Sequence, residues 1–249
     1  MISEMFAHGF IQRAFIGGVL VSLCAALLGV SLVLKRYSMI GDGLSHVSFG
    51  ALSIAIAFGF APIKFSIPIV IIAAFFLLRL AENGKMKSDA AIAMVSASSL
   101  AIGVIVTSLT TGLSTDVCSY MFGSILAMSK DDVIFSVVLS VVVLIMFGFC
   151  YHRIFAVTFD ESFSKATGVK VGMYNTLISI FTAVTVVLGI KMMGAMLISS
   201  LIIFPALTSM RVFKSFLSVT ICSAILAVIN FTALLIRFFN SCRSKRCCC

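Results

Sequence analysis

Charged residues are scarce in this chain of 249 residues. Lys, Arg, Asp and Glu together make up 11% of the sequence, whereas hydrophobic residues make up 61%. Soluble domains usually carry about 25% charged residues. These proportions exclude a soluble enzyme, a secreted disulfide scaffold and a disordered chain, and they indicate a polytopic membrane protein.

Several signatures of catalysis and metal binding are also absent. The sequence has no Gly-x-x-x-x-Gly-Lys-Ser/Thr loop, no His-Glu-x-x-His and no Gly-x-Ser-x-Gly, and its eight cysteines form no Cys-x-x-Cys pair. The first three absences exclude ATP binding by a P-loop, a zinc protease of that type and a hydrolase nucleophile elbow. The fourth argues against a disulfide framework or a cysteine zinc site.

Long apolar runs predict an all-α helical bundle in the membrane, since a spanning helix needs about 20 apolar residues. We expect eight spanning helices, at 14–34, 43–63, 65–78, 90–115, 133–151, 171–190, 192–210 and 215–236. Residues 116–129, which include Gly123, are predicted to form a re-entrant or short helical segment. We treat 1–236 as one transmembrane domain and 237–249 as a basic, cysteine-rich tail.

The net charge of +9 reflects membrane topology rather than a nucleic-acid partner, because the basic residues lie between the apolar runs. With the amino terminus outside, the inside loops would hold Lys35, Arg36, Arg79, Lys85, Lys87, Arg153, Lys165, Lys170, Arg211 and Lys214. The outside loops would hold only Arg13, Lys64, Lys130 and Lys191. This bias favours that orientation, although the basic tail would then also lie outside, against the rule.

The most polar segment is the predicted inside loop 152–172. Asp160 can cap a helix of about two turns, with Glu161 in its first turn and Gly168 at its end. Three aromatic residues give this loop an apolar side: Phe155, Phe159 and Phe163. The pattern fits a helix that docks on a soluble partner, and equally a surface helix that lies on its own protein.

Asp42 and His46 are the most informative polar pair within the apolar zone. Their i,i+4 spacing puts them on one helix face. Counted as helix from Lys35 and Arg36, His46 would lie about 15 Å inward, near the middle of the bilayer. Carboxylate and imidazole suit Zn²⁺, Mn²⁺ or Fe²⁺. The spacing alone favours a structural hydrogen bond between the two side chains over a metal site.

Small residues and one proline predict how the helices pack. Close helix approach is expected at Gly41, Gly43, Ser45, Ser48, Gly50, Ala51 and Ser53. Lys191 and Gly194 predict a tight connection between two spans. Pro205 can kink the helix that contains it, because it removes one intrahelical hydrogen bond.

Four stretches in order resemble the permease subunits of bacterial ATP-binding-cassette (ABC) importers for zinc, manganese or iron. They are LKRYSMIGDGLSHVSFGALSIA, CSYMFGSILAMSKDD, FAVTFDESFSKATGVKV and MMGAMLISSLIIFPALTS. The likeness covers residues 1 to about 230. Met121 stands where the second stretch usually has Leu.

The resemblance implies a multi-pass subunit of a bacterial cell membrane that is not itself an enzyme and carries no cofactor. It implies a second permease copy, an ATPase subunit that binds ATP, and an extracytoplasmic metal-binding protein as partners. Asp42 and His46 become transient ligands of the transported ion, with zinc favoured. The ATPase would be contacted through Phe159, Asp160, Glu161, Phe163, Ala166 and Gly168, whereas Gly123, Gly194 and Pro205 would have structural or gating roles.

Two alternatives within the membrane class stay open, a siderophore or cobalamin permease and a degenerate permease with a regulatory role. An intramembrane enzyme is supported only by Asp42 and His46. The carboxyl end departs from the family, which usually continues with a Ser-Tyr…Pro-Ser-Gly turn and a last helix. We therefore expect either a truncated or frame-shifted end, or a span at 215–236 that is placed differently and leaves the tail cytoplasmic.

Overall fold

The structure is a computed structural model that describes residues 9–35, 37, 39–60, 62–82, 88–109 and 130–244. These residues form nine helices and no strand. The helices are α1 (Gly9–Leu34), α2 (Ile40–Ala57), α3 (Pro62–Glu82), α4 (Ser88–Leu109), α5 (Lys130–Phe159), α6 (Glu161–Ala166), α7 (Val171–Met193), α8 (Ala195–Val212) and α9 (Phe216–Ser244).

Seven of the described helices are long and apolar enough to cross a membrane. The exceptions are α6, which has six residues, and α3, whose apolar part is the shorter stretch Phe65–Leu77. This architecture confirms the predicted all-α polytopic bundle. The predicted re-entrant segment 116–129, with Gly123, lies outside the described residues.

Several predicted helix boundaries are wrong, most clearly those of α2 and α5 and the end of α9, which continues to Ser244. The span predicted at 43–63 begins at Ile40 and ends at Ala57, where Phe58 and Gly59 cap its last carbonyls and Gly59 adopts φ +70°. The span predicted to end at residue 151 continues to Phe159. Much of the predicted polar loop 152–172 is therefore the end of α5, because polar residues can extend a helix beyond the bilayer while apolar content marks only its buried part.

Helix α1 is central in the bundle, where it packs against α5, α7, α8 and α9. Its crossing with α8 is close at Gly29. A Cβ atom at that position would lie 2.1 Å from the carbonyl oxygen of Ile202. Only glycine permits this approach, which is how small residues bring membrane helices into contact.

Helix α2 packs against α3 and α4, and its glycines approach α4 closely. A Cβ atom at Gly50 would lie 2.8 Å from the backbone oxygen of Ser99 in α4, and one at Gly43 would lie 2.6 Å from the side chain of Ile92. The predicted close approach along this helix is confirmed.

Gly194 alone joins α7 to α8, with φ 87° and ψ 159°. A side chain strongly disfavours this conformation. A Cβ atom at Gly189 would lie 2.4 Å from the side chain of Ile198, although nine residues of straight helix would separate them by about 13 Å. The chain therefore turns a corner here, which confirms the tight connection. Pro205 lies buried inside α8, which continues through it.

Helices α4, α5 and α9 carry large apolar side chains on the outside of the bundle. Examples are Ile102, which is 50% exposed, Phe149, which is 86% exposed, and Ile225, which is 55% exposed. Water would disfavour such a surface, whereas lipid acyl chains would cover it.

Candidate functional site

One end of the bundle gathers most of the residues that the sequence singles out. Helix α1 ends there beside Lys35, helices α2 and α7 begin nearby, and the short α6 contacts both α5 and α7. Phe216, at the start of α9, packs against Phe155 and Phe159 at the end of α5. We call this region the Lys35 end.

Asp42 and His46 lie close together on α2. His46 Nε2 is 3.7 Å from Asp42 Oδ2, and the side chains are 26% and 45% exposed respectively. The predicted shared helix face is confirmed. Both groups remain within reach of an entering ion, because neither side chain is fully enclosed by protein.

The continuous helix assumed for the predicted depth of His46 is interrupted before α2 begins. The estimate counted helix from Lys35, but α1 ends at Leu34 and α2 begins only at Ile40. Between the two helices, Ile40 N–H donates a hydrogen bond to the carbonyl of Tyr37. His46 is therefore six residues into α2, about 9 Å of helix rise from its start. Asp42 lies in the first turn of α2, and the position of His46 near the middle of the bilayer stays a prediction.

Two protein ligands do not make a closed metal site. Within the part of the chain that the structure describes, no group of three or more His, Cys, Asp or Glu side chains could hold a metal ion. A bound ion at Asp42 and His46 would keep open coordination positions, in contrast to structural zinc sites with four protein ligands. Weak, incomplete coordination is what a transport pathway requires, since the ion must also leave.

Helix α6 has the predicted cap and stop. Asp160 Oδ1 accepts a hydrogen bond of 2.9 Å from the backbone N–H of Phe163, which satisfies one of the unpaired donors at the helix start. Gly168 ends the helical turn with φ +79°. Phe159 is the last residue of α5 and not part of the short helix.

The two sides of α6 have different surroundings. Glu161 and Ser164 turn toward the bundle, and Ser164 is 1% exposed. Phe163 is 64% exposed, and Ala166 is also on the outer side. The spacing of three residues between Glu161 and Ser164 places both on one face of the short helix.

Glu161 belongs to a three-residue polar cluster that joins three helices. Its Oε1 atom is 3.1 Å from Lys35 Nζ and accepts a 3.2 Å hydrogen bond from Asn175 Nδ2. Lys35 Nζ also donates to Asn175 Oδ1. The Lys35 side chain is 6% exposed and that of Glu161 is 41% exposed. The cluster therefore pairs a buried cation with a carboxylate at the protein surface.

The charge state of Glu161 fits this pairing. Partial burial alone would raise the pKa of the carboxyl, but hydrogen bonds from Asn175 and Lys35 outweigh burial and hold the pKa below its ordinary value of 4.5. Glu161 is thus ionised at neutral pH. Its attraction for Lys35 is present above pH 4.5 and is lost as the pH falls through the lowered pKa.

An aromatic cluster lies beside α6. The rings of Phe155 and Phe159 are 5.0 Å apart, and Phe216 lies 5.0 Å from Phe155. A groove of about 290 Å³ opens next to these rings, with Lys214 in its wall. Phe159 is 61% exposed, so apolar surface is present at the end of α5 next to α6.

Comparison with known proteins identifies the family. The model of the ABC 3 transport family matches residues 7–240. This chain belongs to the ABC 3 transport family. It is a multi-pass protein of the cell membrane, consistent with its seven apolar helices.

Individual relatives of this ABC 3 chain include membrane proteins of metal uptake systems. The high-affinity zinc uptake system membrane protein ZnuB of Buchnera aphidicola is 31% identical, with 88% of this chain and 84% of the relative covered. The manganese import system permease protein ScaB of Streptococcus gordonii is 28% identical, with 87% and 78% covered. The solved structure of PsaBC from Streptococcus pneumoniae in complex with Fab matches with a TM-score of 0.80 at 27% identity, covering 92% of this chain and 84% of that one.

The ABC 3 fold separates the predicted site residues into two groups. Asp42, His46 and α6 all lie toward the Lys35 end. Gly194 lies at the far end of α7, about 23 residues or 34 Å of helix rise away. Gly194 therefore shapes the turn between α7 and α8 at the end of the bundle far from Asp42. Pro205 lies further along α8, three residues after Ile202, whose side chain would lie 3.2 Å from a Cβ atom at Gly41.

Sequence reasoning on this ABC 3 chain missed the contribution of Lys35 and Asn175. Lys35 was interpreted only as a marker of topology, and Asn175 was not singled out. One signal was available, since Asn175 is an amide within an apolar run, and a buried polar side chain needs a partner. Its partners come from helices distant in sequence, so their identity required the fold.

Proposed function

We propose that this chain is the permease subunit of an ABC importer that carries a divalent transition-metal ion into the cytoplasm. Membership of the ABC 3 family supports the transporter class, and the functions of ZnuB and ScaB support a metal ion as the cargo. The ATPase is a separate subunit in this proposal, and the chain itself carries no cofactor.

The observation that carries the proposal is the Asp42–His46 pair. A carboxylate oxygen and an imidazole nitrogen lie 3.7 Å apart on a membrane-spanning helix. Ionisable groups on a spanning helix are costly in lipid and usually serve a pathway or a partner. The same two donor types bind zinc, manganese and iron. The pair would act as a transient ligand set while the ion crosses.

Zinc is the favoured cargo, with manganese and iron as alternatives. Imidazole suits zinc well, whereas manganese prefers a site built from oxygen ligands. The named relatives include one zinc and one manganese system. Measured uptake of zinc, manganese and iron therefore distinguishes the three cargoes.

The proposed transporter contains three further protein subunits. The outer side of α6, with Asp160, Phe163 and Ala166, would contact the ATPase subunit together with Phe159 and Gly168. An extracytoplasmic metal-binding protein would deliver the ion at the opposite end. A second permease copy would provide the other half of the pathway.

The test is metal accumulation in cells that lack their own high-affinity zinc uptake. The chain is expressed with its ATPase and metal-binding partners, and zinc, manganese and iron are measured in the cells. Asp42→Ala and His46→Ala should each lower accumulation at least about tenfold. Loss of a side chain that only hydrogen-bonds a metal ligand already weakens metal binding about tenfold or more, and loss of the ligand itself should weaken it further. His152→Ala is the matched control, since His152 is an exposed histidine outside the pair.

Each alternative function has its own outcome in this assay. Metal accumulation that is unchanged in both alanine variants would show that the pair is not a ligand of the transported ion. No accumulation of any metal by the wild-type complex, despite assembly with the ATPase, would favour a degenerate permease. Uptake of a metal chelate but not of the bare ion would favour the siderophore or cobalamin alternative.

A further inference from the structure

We propose that Lys35 and Asn175 are positioning residues that couple the movement of α6 to the helix carrying Asp42 and His46. The inference rests on the proposed function, in which an ATPase moves α6. It assigns to the Lys35–Glu161–Asn175 cluster the mechanical link between ATP hydrolysis and the ion site.

The first step is the contrast between the two sides of α6. The outer side presents Phe163, which is 64% exposed and available to a partner. The inner side presents Glu161, whose carboxylate lies 3.1 Å from Lys35 Nζ. A force applied to the outer side therefore reaches α1 through a direct ion pair.

The second step is the burial of Lys35. Its side chain is 6% exposed, and a buried ammonium is strongly destabilised when its counter-charge is withdrawn. Separation of Glu161 from Lys35 would leave that charge poorly compensated. The ion pair therefore favours joint movement of α6 and the end of α1 over their separation.

The third step is the short connection along the chain from Lys35 to the Asp42–His46 pair. Backbone hydrogen bonds run along it from Tyr37 N–H to the Leu32 carbonyl, from Ile40 N–H to the Tyr37 carbonyl and from Gly43 N–H to the Met39 carbonyl. Asp42 is seven residues from Lys35 and lies in the first turn of α2. These described bonds tie Tyr37 to both helix ends, so a displacement of Lys35 is expected to reach the first turn of α2.

Asn175 holds Glu161 and Lys35 in position relative to α7. It is 3% exposed on α7, and its side-chain amide contacts both Glu161 and Lys35. Because the amide both donates and accepts, it holds the carboxylate and the ammonium in one arrangement. The cluster thus joins the ends of three elements, α1, α6 and α7.

The experiment measures metal ions accumulated per ATP hydrolysed by the complete transporter in liposomes. Lys35→Met and Glu161→Gln remove one charge each with little change of shape. We expect each variant to lower the ratio of metal ions to ATP about fivefold. This factor is at the low end of the range for energetic coupling between distant sites in proteins. Lys170→Met is the matched control, because Lys170 is an exposed lysine at the start of α7. The amount of ATPase that co-purifies is measured for every variant.

A lowered ratio with normal ATPase assembly and hydrolysis, restored in the double variant Lys35→Glu/Glu161→Lys, would support the coupling role. An unchanged ratio in both single variants would overturn it while leaving the proposed function intact. Loss of assembly in the single variants that the charge exchange does not repair would also overturn it, since the cluster would then be only structural. A wild-type complex that moves no metal would overturn the proposed function, and the inference with it.

Discussion

At the scale of single residues, the closest helix contact depends on the absence of one side chain. At Gly29 a Cβ atom would lie 2.1 Å from a backbone oxygen of α8, and a backbone atom cannot move aside as a flexible side chain can. We predict that Gly29→Ala destabilises the protein by about 1–3 kcal/mol, the usual cost of overpacking a tight core. Thermal unfolding in detergent would measure this change.

Gly148→Ala is the control for that substitution. Gly148 also lies within a helix, but nothing lies within 4 Å of a Cβ atom built there. Alanine forms helix better than glycine by about 1 kcal/mol, so this variant should be neutral or stabilised. Equal melting temperatures for the two variants would contradict the close crossing of α1 and α8.

At the scale of elements, α6 depends on its cap because it has only six residues. So short a helix has little stability of its own. We predict that Asp160→Ala costs the helix about 1 kcal/mol and speeds hydrogen exchange of the Phe163 amide about fivefold. Exchange followed by mass spectrometry on the purified protein tests this.

Asp160→Ser is the control, since a serine side chain also accepts the capping hydrogen bond. It should keep exchange at Phe163 close to that of the unaltered protein. If the alanine variant exchanged no faster than the serine variant, α6 would be held by the Lys35–Glu161–Asn175 cluster and not by its cap.

At the scale of the whole molecule, the charge bias predicts that the Lys35 end faces the cytoplasm. In a background without the native cysteines, Lys214→Cys should react with an impermeant thiol reagent only in broken cells. Phe58→Cys, at the opposite end of α2, should react in intact cells. Both positions are exposed, so burial does not limit either reaction.

The parent without cysteines serves as the blank for that labelling. The reverse pattern, with Lys214→Cys reactive in intact cells, would invert the predicted orientation. It would also place α6 outside the cell, where no ATPase could reach it, and would therefore count against the proposed contact between α6 and the ATPase.

The membrane class, the helical architecture and the caps of α6 can all be predicted from the amino-acid sequence. Apolar runs reveal spanning helices because lipid tolerates few charges, and Asp160 and Gly168 mark the ends of α6 through short-range hydrogen bonding and backbone conformation. The i,i+4 pairing of Asp42 and His46 is equally local. Each of these features depends only on residues that are neighbours in the chain.

The break between α1 and α2 and the partners of Glu161 emerge only from the folded protein. Helix α1 ends at Leu34 and α2 begins at Ile40, although residues 35–39 carry no strong turn signal in the sequence. Lys35 meets Glu161 across 126 residues of chain and Asn175 across 140. Such contacts arise from the packing of α1, α6 and α7. That packing depends on the fit between the surfaces of helices that are distant in the chain, which no local pattern encodes.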